Sequence, residues 1–322
     1  VRLFAPAPSL RRFAPSDVIR LILGVGALLT TLIVGVAAKG TIDGIEDDIV
    51  GGVTRLPDTL EQIGIGAAQL FATLVPLFAL VAILWRRHWR LLLHVFVGSL
   101  VAGVVVGPVI DVLGTRTATD TIRSRAIETD TTLVAADFPT SSYVAAAVGA
   151  VTVGAPYLPR RWRRAAWAWI AVLILLRFLG PGQPPLDVLI AASIGSIVGS
   201  LVLLLLGSPN SEPATADVLA GLHRGGMQPV AIEREETAQG SVHYIATDAG
   251  GSTAFVSVRT PDDRNWDLLN RAYRAIRLRS SEVKRPHSSL KRRVEHEALV
   301  MRTARDRGVS APTMIGIGTT PD

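Results

Sequence analysis

The chain has 322 residues, 49% of them hydrophobic, a formal net charge of +6 and no cysteine. That length accommodates two domains of ordinary size, and the lack of cysteine excludes disulfides, thiolate chemistry and Cys-ligated metals. The apolar residues fall into six long blocks before residue 208, while the remainder has the composition of a soluble protein. The excess of positive charge is therefore assigned to the positive-inside rule of membrane proteins and not to nucleic-acid binding. The basic residues are nearly all arginine, with lysine only at 39, 284 and 291. Together with abundant Ala and Val, this composition points to a bacterial source.

Residues 1–16 are polar and carry Arg2, Arg11 and Arg12. Pro15-Ser16-Asp17 then starts a helix expected over 17–38. Its apolar stretch is too long for the core of a typical signal peptide, so an uncleaved anchor is expected despite Ala37-Ala38. Residues 39–61 are acidic and polar. A second helix is expected over 62–85, a basic turn at Arg86-Arg87-His88-Trp89-Arg90, and a third helix over 91–113. A polar loop at 114–138 leads to a fourth helix over 141–158, and Arg160-Arg161-Trp162-Arg163-Arg164 forms a second basic turn. The fifth helix is expected over 165–179. The turn Gly180-Pro181-Gly182-Gln183-Pro184-Pro185 then leads into the sixth helix, over 186–206.

Each block is close to the roughly 20 residues that a helix needs to cross a bilayer. The expected fold is an all-α six-helix transmembrane bundle over 17–207, a linker at 208–213 and a small α+β domain at 214–322. The arginine clusters at the N-terminus and at 86–90 and 160–164 belong on the cytoplasmic side, which places both termini there. Trp85, Trp89, Trp162, Trp167 and Trp169 are expected to form an aromatic belt at that interface. Gly98/Ala102, Gly103/Gly107 and Gly195/Gly199 are small-residue pairs at the spacing used for close helix packing.

Charged residues at membrane depth are costly and call for a reason. Arg177 stands near the outer end of the fifth helix, Gln183 lies in the following turn, and Asp187 opens the sixth helix. Phe138-Pro139-Thr140-Ser141-Ser142 opens the fourth helix on the same side, and Arg116 and Arg123 precede it. These pieces resemble, over about 60–207, the signature of the type-2 phosphatidic acid phosphatase superfamily. The family motifs are a basic residue, six residues and Arg-Pro; then Pro-Ser-Gly-His; then Ser-Arg, five residues, His, three residues and Asp. The chain departs from them at the catalytic positions. Gln183 stands where the resemblance places the attacking histidine, Ser142 stands at the proton donor, and Ser124 replaces the motif proline. A glutamine amide offers no nucleophilic nitrogen, and an unassisted serine is a poor acid and a poor nucleophile. The resemblance thus implies a pseudo-phosphatase, with Arg116, Arg123, Thr140, Ser141, Ser142, Arg177, Gln183 and Asp187 as a phosphate-binding set. A structural Arg177–Asp187 pair beside a simple Ser/Thr helix cap is the alternative. An enzyme using Asp187 or Ser142 as nucleophile, and a flippase or transporter subunit, are the other functional readings.

The tail reads as a helix at 214–225, strands at 228–234, 241–247 and 253–258, helices at 262–278 and 288–307, and a strand near 313–317. Gly250-Gly251 marks a hairpin. This order resembles the N-terminal lobe of kinase-like and aminoglycoside-phosphotransferase-like families, with Glu297 at the family's third-helix glutamate. The resemblance puts Ser257 where those families carry a lysine, and Arg259 is expected on the opposite strand face. Thr237-Ala238-Gln239-Gly240 stands in place of a glycine-rich loop. The chain as given reaches Asp322 before any catalytic loop, so a fragment of a longer protein or a relic lobe is expected. The two halves together resemble bacterial multidomain membrane proteins with lysylphosphatidylglycerol-synthase-like regions.

Between Arg259 and Arg307 there are fourteen Lys/Arg and seven Asp/Glu. Such a run is a solvated helix face or a contact with anionic inner-leaflet lipid; no interleaved aromatics support nucleic acid. The expected partners are membrane lipids, a lipid-phosphate ligand, and a second copy or another membrane protein. No cofactor or metal is expected.

Overall fold

The computed structural model describes residues 10–11, 14–37, 58–113, 138–179, 185–209, 213, 215–235, 242–277 and 290–318. It divides into two units, Val1–Pro209 and Asn210–Asp322.

The first unit contains α1 (Pro15–Ala37), α2 (Asp58–Trp85), α3 (Trp89–Leu113), α4 (Ser141–Gly154), α5 (Arg160–Leu179) and α6 (Pro185–Leu206). A single 3-10 turn, Ala155–Tyr157, follows α4. Three segments are long and apolar enough to cross a membrane: Pro15–Ala37, Trp89–Val112 and Leu186–Leu206. Gln69–Trp85 is a shorter apolar helix. These segments mark the chain as a membrane protein. The outward side chains agree: Leu23, Ile33, Phe78, Phe96 and Val104 are exposed, an arrangement water would penalise and hydrocarbon does not. Helix α5 starts five residues earlier than the sequence predicts, so the arginine-rich turn at 160–164 is helical. Of the expected tryptophan belt, Trp85, Trp89, Trp162 and Trp167 are exposed; Trp169 departs from it and is buried in the core.

Helix α4 lies between α3 and α6, and glycines set the distances. A Cβ added at Gly195 would collide with the Ala145 carbonyl and lie 2.9 Å from Val148 Cβ. One at Gly199 would lie 2.7 Å from Thr152 Cβ and 3.0 Å from the Gly149 carbonyl oxygen. On the other side, a Cβ at Gly149 would come within 2.9 Å of the Gly98 carbonyl oxygen. The pairs Gly98/Ala102 and Gly195/Gly199 are therefore helix contacts, as their spacing predicts. The third pair is not: Gly103 makes ordinary contact with α4, and nothing lies within 4 Å of Gly107.

These contacts fix direction. Gly195 and Gly199 of α6 lie against Ala145 and Thr152 of α4, so the two helices run parallel. Gly24 and Gly35 of α1 lie against Ile197 and Leu186, so α1 runs antiparallel to α6. The starts of α4 and α6 thus share one end of the unit. At the opposite end, β1 (Leu10–Arg11) pairs antiparallel with β2 (Ser208–Pro209), bringing the chain before α1 and the chain after α6 together. Gly207, at φ 91°, makes that exit possible: its N–H returns to the Leu203 carbonyl at 2.9 Å. Arg87 takes the same left-handed conformation (φ 52°) in the tight α2–α3 turn.

The second unit contains α7 (Thr215–Arg224), a sheet of β3 (Pro229–Glu235), β4 (Val242–Asp248) and β5 (Thr253–Val258), then α8 (Pro261–Arg277) and α9 (Leu290–Asp306). The sheet is antiparallel in the order β3-β4-β5. The turn between β4 and β5 closes through Gly251, whose N–H donates to the Asp248 carbonyl at 2.9 Å. Alternation along the strands sends Val242, Tyr244, Val256 and Val258 toward Val218 and Leu222 of α7, forming a small core. The strand expected near 313–317 is absent: the segment is irregular. Its backbone runs along the end of α7, where Cβ positions at Gly316 and Gly318 fall 3.2 and 3.3 Å from the carbonyl oxygens of Gly225 and Gly221. That approach replaces pairing at a sheet edge.

The packing yields a direct contrast. Gly195→Val should destabilise the first unit by about 1–3 kcal/mol, the usual cost of overpacking. Gly107→Ala, in open space inside a helix, should not destabilise and should gain up to about 1 kcal/mol of helix propensity. Thermal unfolding of the purified full-length chain in detergent separates the two.

Candidate functional site

The end shared by the starts of α4 and α6 carries the sequence-predicted site. Thr140 is the N-cap of α4, with extended backbone (φ −69°, ψ 165°), and its hydroxyl accepts from the Tyr143 N–H at 3.2 Å. This is the capping role, and it occupies the Thr140 side chain. Ser141 is buried in the first turn, whereas Ser142 is exposed. Tyr143 donates a short hydrogen bond to the Ala72 carbonyl, tying α4 to α2, and packs edge-on against Phe138 with ring centroids 4.9 Å apart.

Arg177 closes α5 and Asp187 opens α6. Both are buried, at 3% and 9% exposure, and the Arg177 charge acts on the Asp187 carboxyl. Asp187 Oδ1 has no hydrogen-bond partner among the described residues. Such a buried acceptor costs free energy unless something supplies a donor. The structure therefore brings Arg177, Asp187 and the Thr140–Ser141 cap to one end of the unit. Arg116, Arg123 and Gln183 lie outside the described residues.

A second polar group, which the sequence reading missed, occupies the opposite end. Asp17 is fully buried, and its Oδ1 accepts from Arg20 Nη1 at 2.8 Å. Tyr157 lies within electrostatic reach of both Asp17 and Arg90. The ring of His94 stands 6.3 Å from that of Tyr157. His94 Nδ1 meets the Arg90 carbonyl at 2.6 Å, and since a carbonyl only accepts, Nδ1 carries the proton. The buried His94 Nε2 and Tyr157 hydroxyl have no hydrogen-bond partner among the described residues. The available signal was Asp17 and Arg20 at i,i+3 in the first turns of an apolar helix.

In the second unit, Ser257 lies on the exposed face of β5 with Thr253 and Phe255. Strand geometry does not favour a place for Arg259 opposite Ser257, since positions two apart share a face; Arg259 follows the last residue of β5, and its Nη2 lies 3.5 Å from Glu297 Oε1. Glu297 also receives Arg293 Nε at 3.3 Å, and Arg293 makes a further short ion pair with Asp267. Burial opposes the Arg293 charge, but the hydrogen bonds and charges of Asp267 and Glu297 outweigh it and raise its pKa above the ordinary arginine value. This network joins the end of β5 to α8 and α9. The loop 237–240 lies outside the described residues.

No family model, no characterised protein and no solved structure matches the chain.

The buried charges at the Arg177 end make a separable prediction. Asp187→Ala should leave the Arg177 charge without its buried counter-charge and lower stability by about 3–5 kcal/mol. Combining it with Arg177→Met should recover a large part of that loss. A double-mutant cycle read by thermal unfolding in detergent checks the coupling; purely additive losses would exclude it.

Proposed function

We propose that the first unit is a six-crossing bundle of phosphatidic-acid-phosphatase-like fold that binds lipid or polyprenyl phosphates in the cell envelope without hydrolysing them. The observation that carries this reading is Arg177. It is a nearly fully buried guanidinium in an apolar helix, placed with Asp187 at the same end as the first turn of α4. Arginine suits phosphate because its planar fork makes paired, charge-assisted hydrogen bonds. A helix start adds backbone N–H groups and a positive dipole end. Hydrolysis is not proposed, because Ser142 and Gln183 replace the two histidines that the resemblance requires.

The direction of the helices supports the crossing pattern. The arginine-rich segments at 86–90 and 160–164 and the paired β1 and β2 fall at the end opposite Arg177 and Asp187. With those arginines in the cytoplasm, the Arg177 end faces outward and the tail is cytoplasmic. For the tail, the order of three antiparallel strands with flanking helices, and the Arg259–Glu297 pair, support a kinase-like lobe. There Arg259 takes the electrostatic partner role that Ser257 cannot fill.

Two experiments test this reading. Single cysteines at Thr41 and Thr119 should react with an impermeant thiol reagent on intact cells, while those at Arg161 and Ser281 should react only after lysis. Any inversion of that pattern would overturn the crossing model. Native mass spectrometry of the purified chain should detect bound phosphatidic acid or polyprenyl phosphate, and Arg177→Ala should reduce occupancy by roughly tenfold or more, the value of one charge-assisted contact. Inorganic phosphate release from those lipids by the unaltered chain would instead establish an enzyme, with Asp187 or Ser142 as the nucleophile to test next.

A further inference from the structure

We infer that helix α8 is a lipid-contacting element, docking its exposed aromatic and arginine face on the anionic surface of the membrane from which the tail emerges. The argument starts with how the helix distributes its charges. Its carboxylates are engaged or turned inward: Asp262 is buried, and Asp263 accepts from the Thr260 N–H at 2.7 Å and from the Thr260 hydroxyl at 3.2 Å. Asp267 is held by Arg293. Among the described side chains of α8, the exposed ones therefore include Arg271, Arg274 and Arg277 and no carboxylate.

The aromatic residues lie among these arginines. Trp266 and Tyr273 are 57% and 53% exposed, although a tail burying its own aromatics would hide both. At about 100° per residue, Trp266, Asn270, Tyr273, Arg274 and Arg277 fall within roughly 100° of the helix circumference, an arc that in the first turn also holds the capping Asp263. The Arg277 guanidinium sits 5.7 Å from the centre of the Tyr273 ring. Trp and Tyr seek the headgroup level of a bilayer, with the ring in the apolar boundary and the polar atom in water, while arginine attracts anionic lipid. A face carrying both, whose nearby carboxylates Asp263 and Asp267 are engaged by Thr260 and Arg293, complements an anionic lipid surface better than it does water.

The tether makes the contact local. Only residues 207–214 separate the end of α6 from the start of α7. At no more than about 3.6 Å per residue they hold the tail within a few tens of ångströms of the bilayer. Each arginine close to an anionic leaflet contributes roughly fivefold to the docked-to-free ratio. This inference is independent of any ligand at the Arg177 end.

The chain contains no cysteine, so the full-length protein with Asn270→Cys carries one environment-sensitive fluorophore at the centre of the proposed face. In lipid nanodiscs containing phosphatidylglycerol the label should shift to the blue and lose access to aqueous acrylamide. In nanodiscs of phosphatidylcholine alone it should remain water-exposed. Reversing Arg271, Arg274 and Arg277 to glutamate should lower the docked-to-free ratio by roughly a hundredfold, from three contributions of about fivefold each. A reference label at Thr247→Cys in the sheet reports whether that triple variant still folds. Should it not fold, Trp266→Ala with Tyr273→Ala must weaken docking in its place. Identical emission in both lipid compositions would overturn the inference, as would a shift that persists in the folded triple variant. A shift produced by soluble heparin but not by anionic lipid would equally exclude the membrane as the partner.

Discussion

In hydrocarbon, helices gain little from hiding apolar surface, because lipid tails are as apolar as leucine; association depends on how closely backbones approach. In the first unit that approach is concentrated on α4, which contacts α3 through Gly98 and Gly149 and α6 through Gly195 and Gly199. The Gly195 contact has no room for even one methyl group, since the Ala145 carbonyl occupies the space a Cβ would take. Val144, Val148, Val188 and Ile194 fill the remaining core around this seam. Helix α6 is accordingly the most buried of the three long apolar helices, while α1 and α3 keep most of their surface outward.

The seam also places the charges. A parallel α4 and α6 in this register start at the same end, so the capped first turn of α4 and Asp187 come together without any contact between their side chains being needed. Arg177 joins them because α5 ends where α6 begins. A guanidinium and a carboxyl in a largely apolar setting cost several kcal/mol to desolvate unless each has a counter-charge, which makes their co-location the least arbitrary polar feature of the unit. The opposite end has a parallel solution. There Asp17 is buried against Arg20 and within electrostatic reach of Tyr157, at the end where the short β1–β2 pairing joins the two chain exits.

The tail relies on different physics. Its sheet buries one face by alternation against α7, as in any water-soluble domain, and its helices α8 and α9 are joined by ion pairs. Partly exposed pairs of this kind contribute little individually. Their effect is positional: Arg259 and Arg293 converge on Glu297, fixing the end of β5 relative to α9, and Asp267 draws α8 into the same network. The exposed side chains of α8 include Trp266, Tyr273, Arg271, Arg274 and Arg277.

Apolar block length, the arginine-rich segments and the period-two pattern of the tail strands are local properties, and the sequence by itself determined from them the long apolar helices and the three-stranded sheet. The nearness of Arg177 and Asp187 was legible for the same reason, since only ten residues separate them and one closes α5 while the other opens α6. Three features needed the tertiary structure. Whether a small-residue pair is a contact depends on what faces it, so Gly195/Gly199 and Gly103/Gly107 look alike in sequence and differ in space. Trp169 is buried rather than interfacial because its helix turns that side toward the core. The distant partner of Glu297, beside Arg293 of its own helix, is Arg259 and not a residue at position 257, because pairing is decided by where β5 ends relative to a helix more than thirty residues away. Local pattern fixes which elements form and which side is apolar; only the packed structure decides which charges meet, because electrostatic partners are chosen by distance in space and not by distance along the chain.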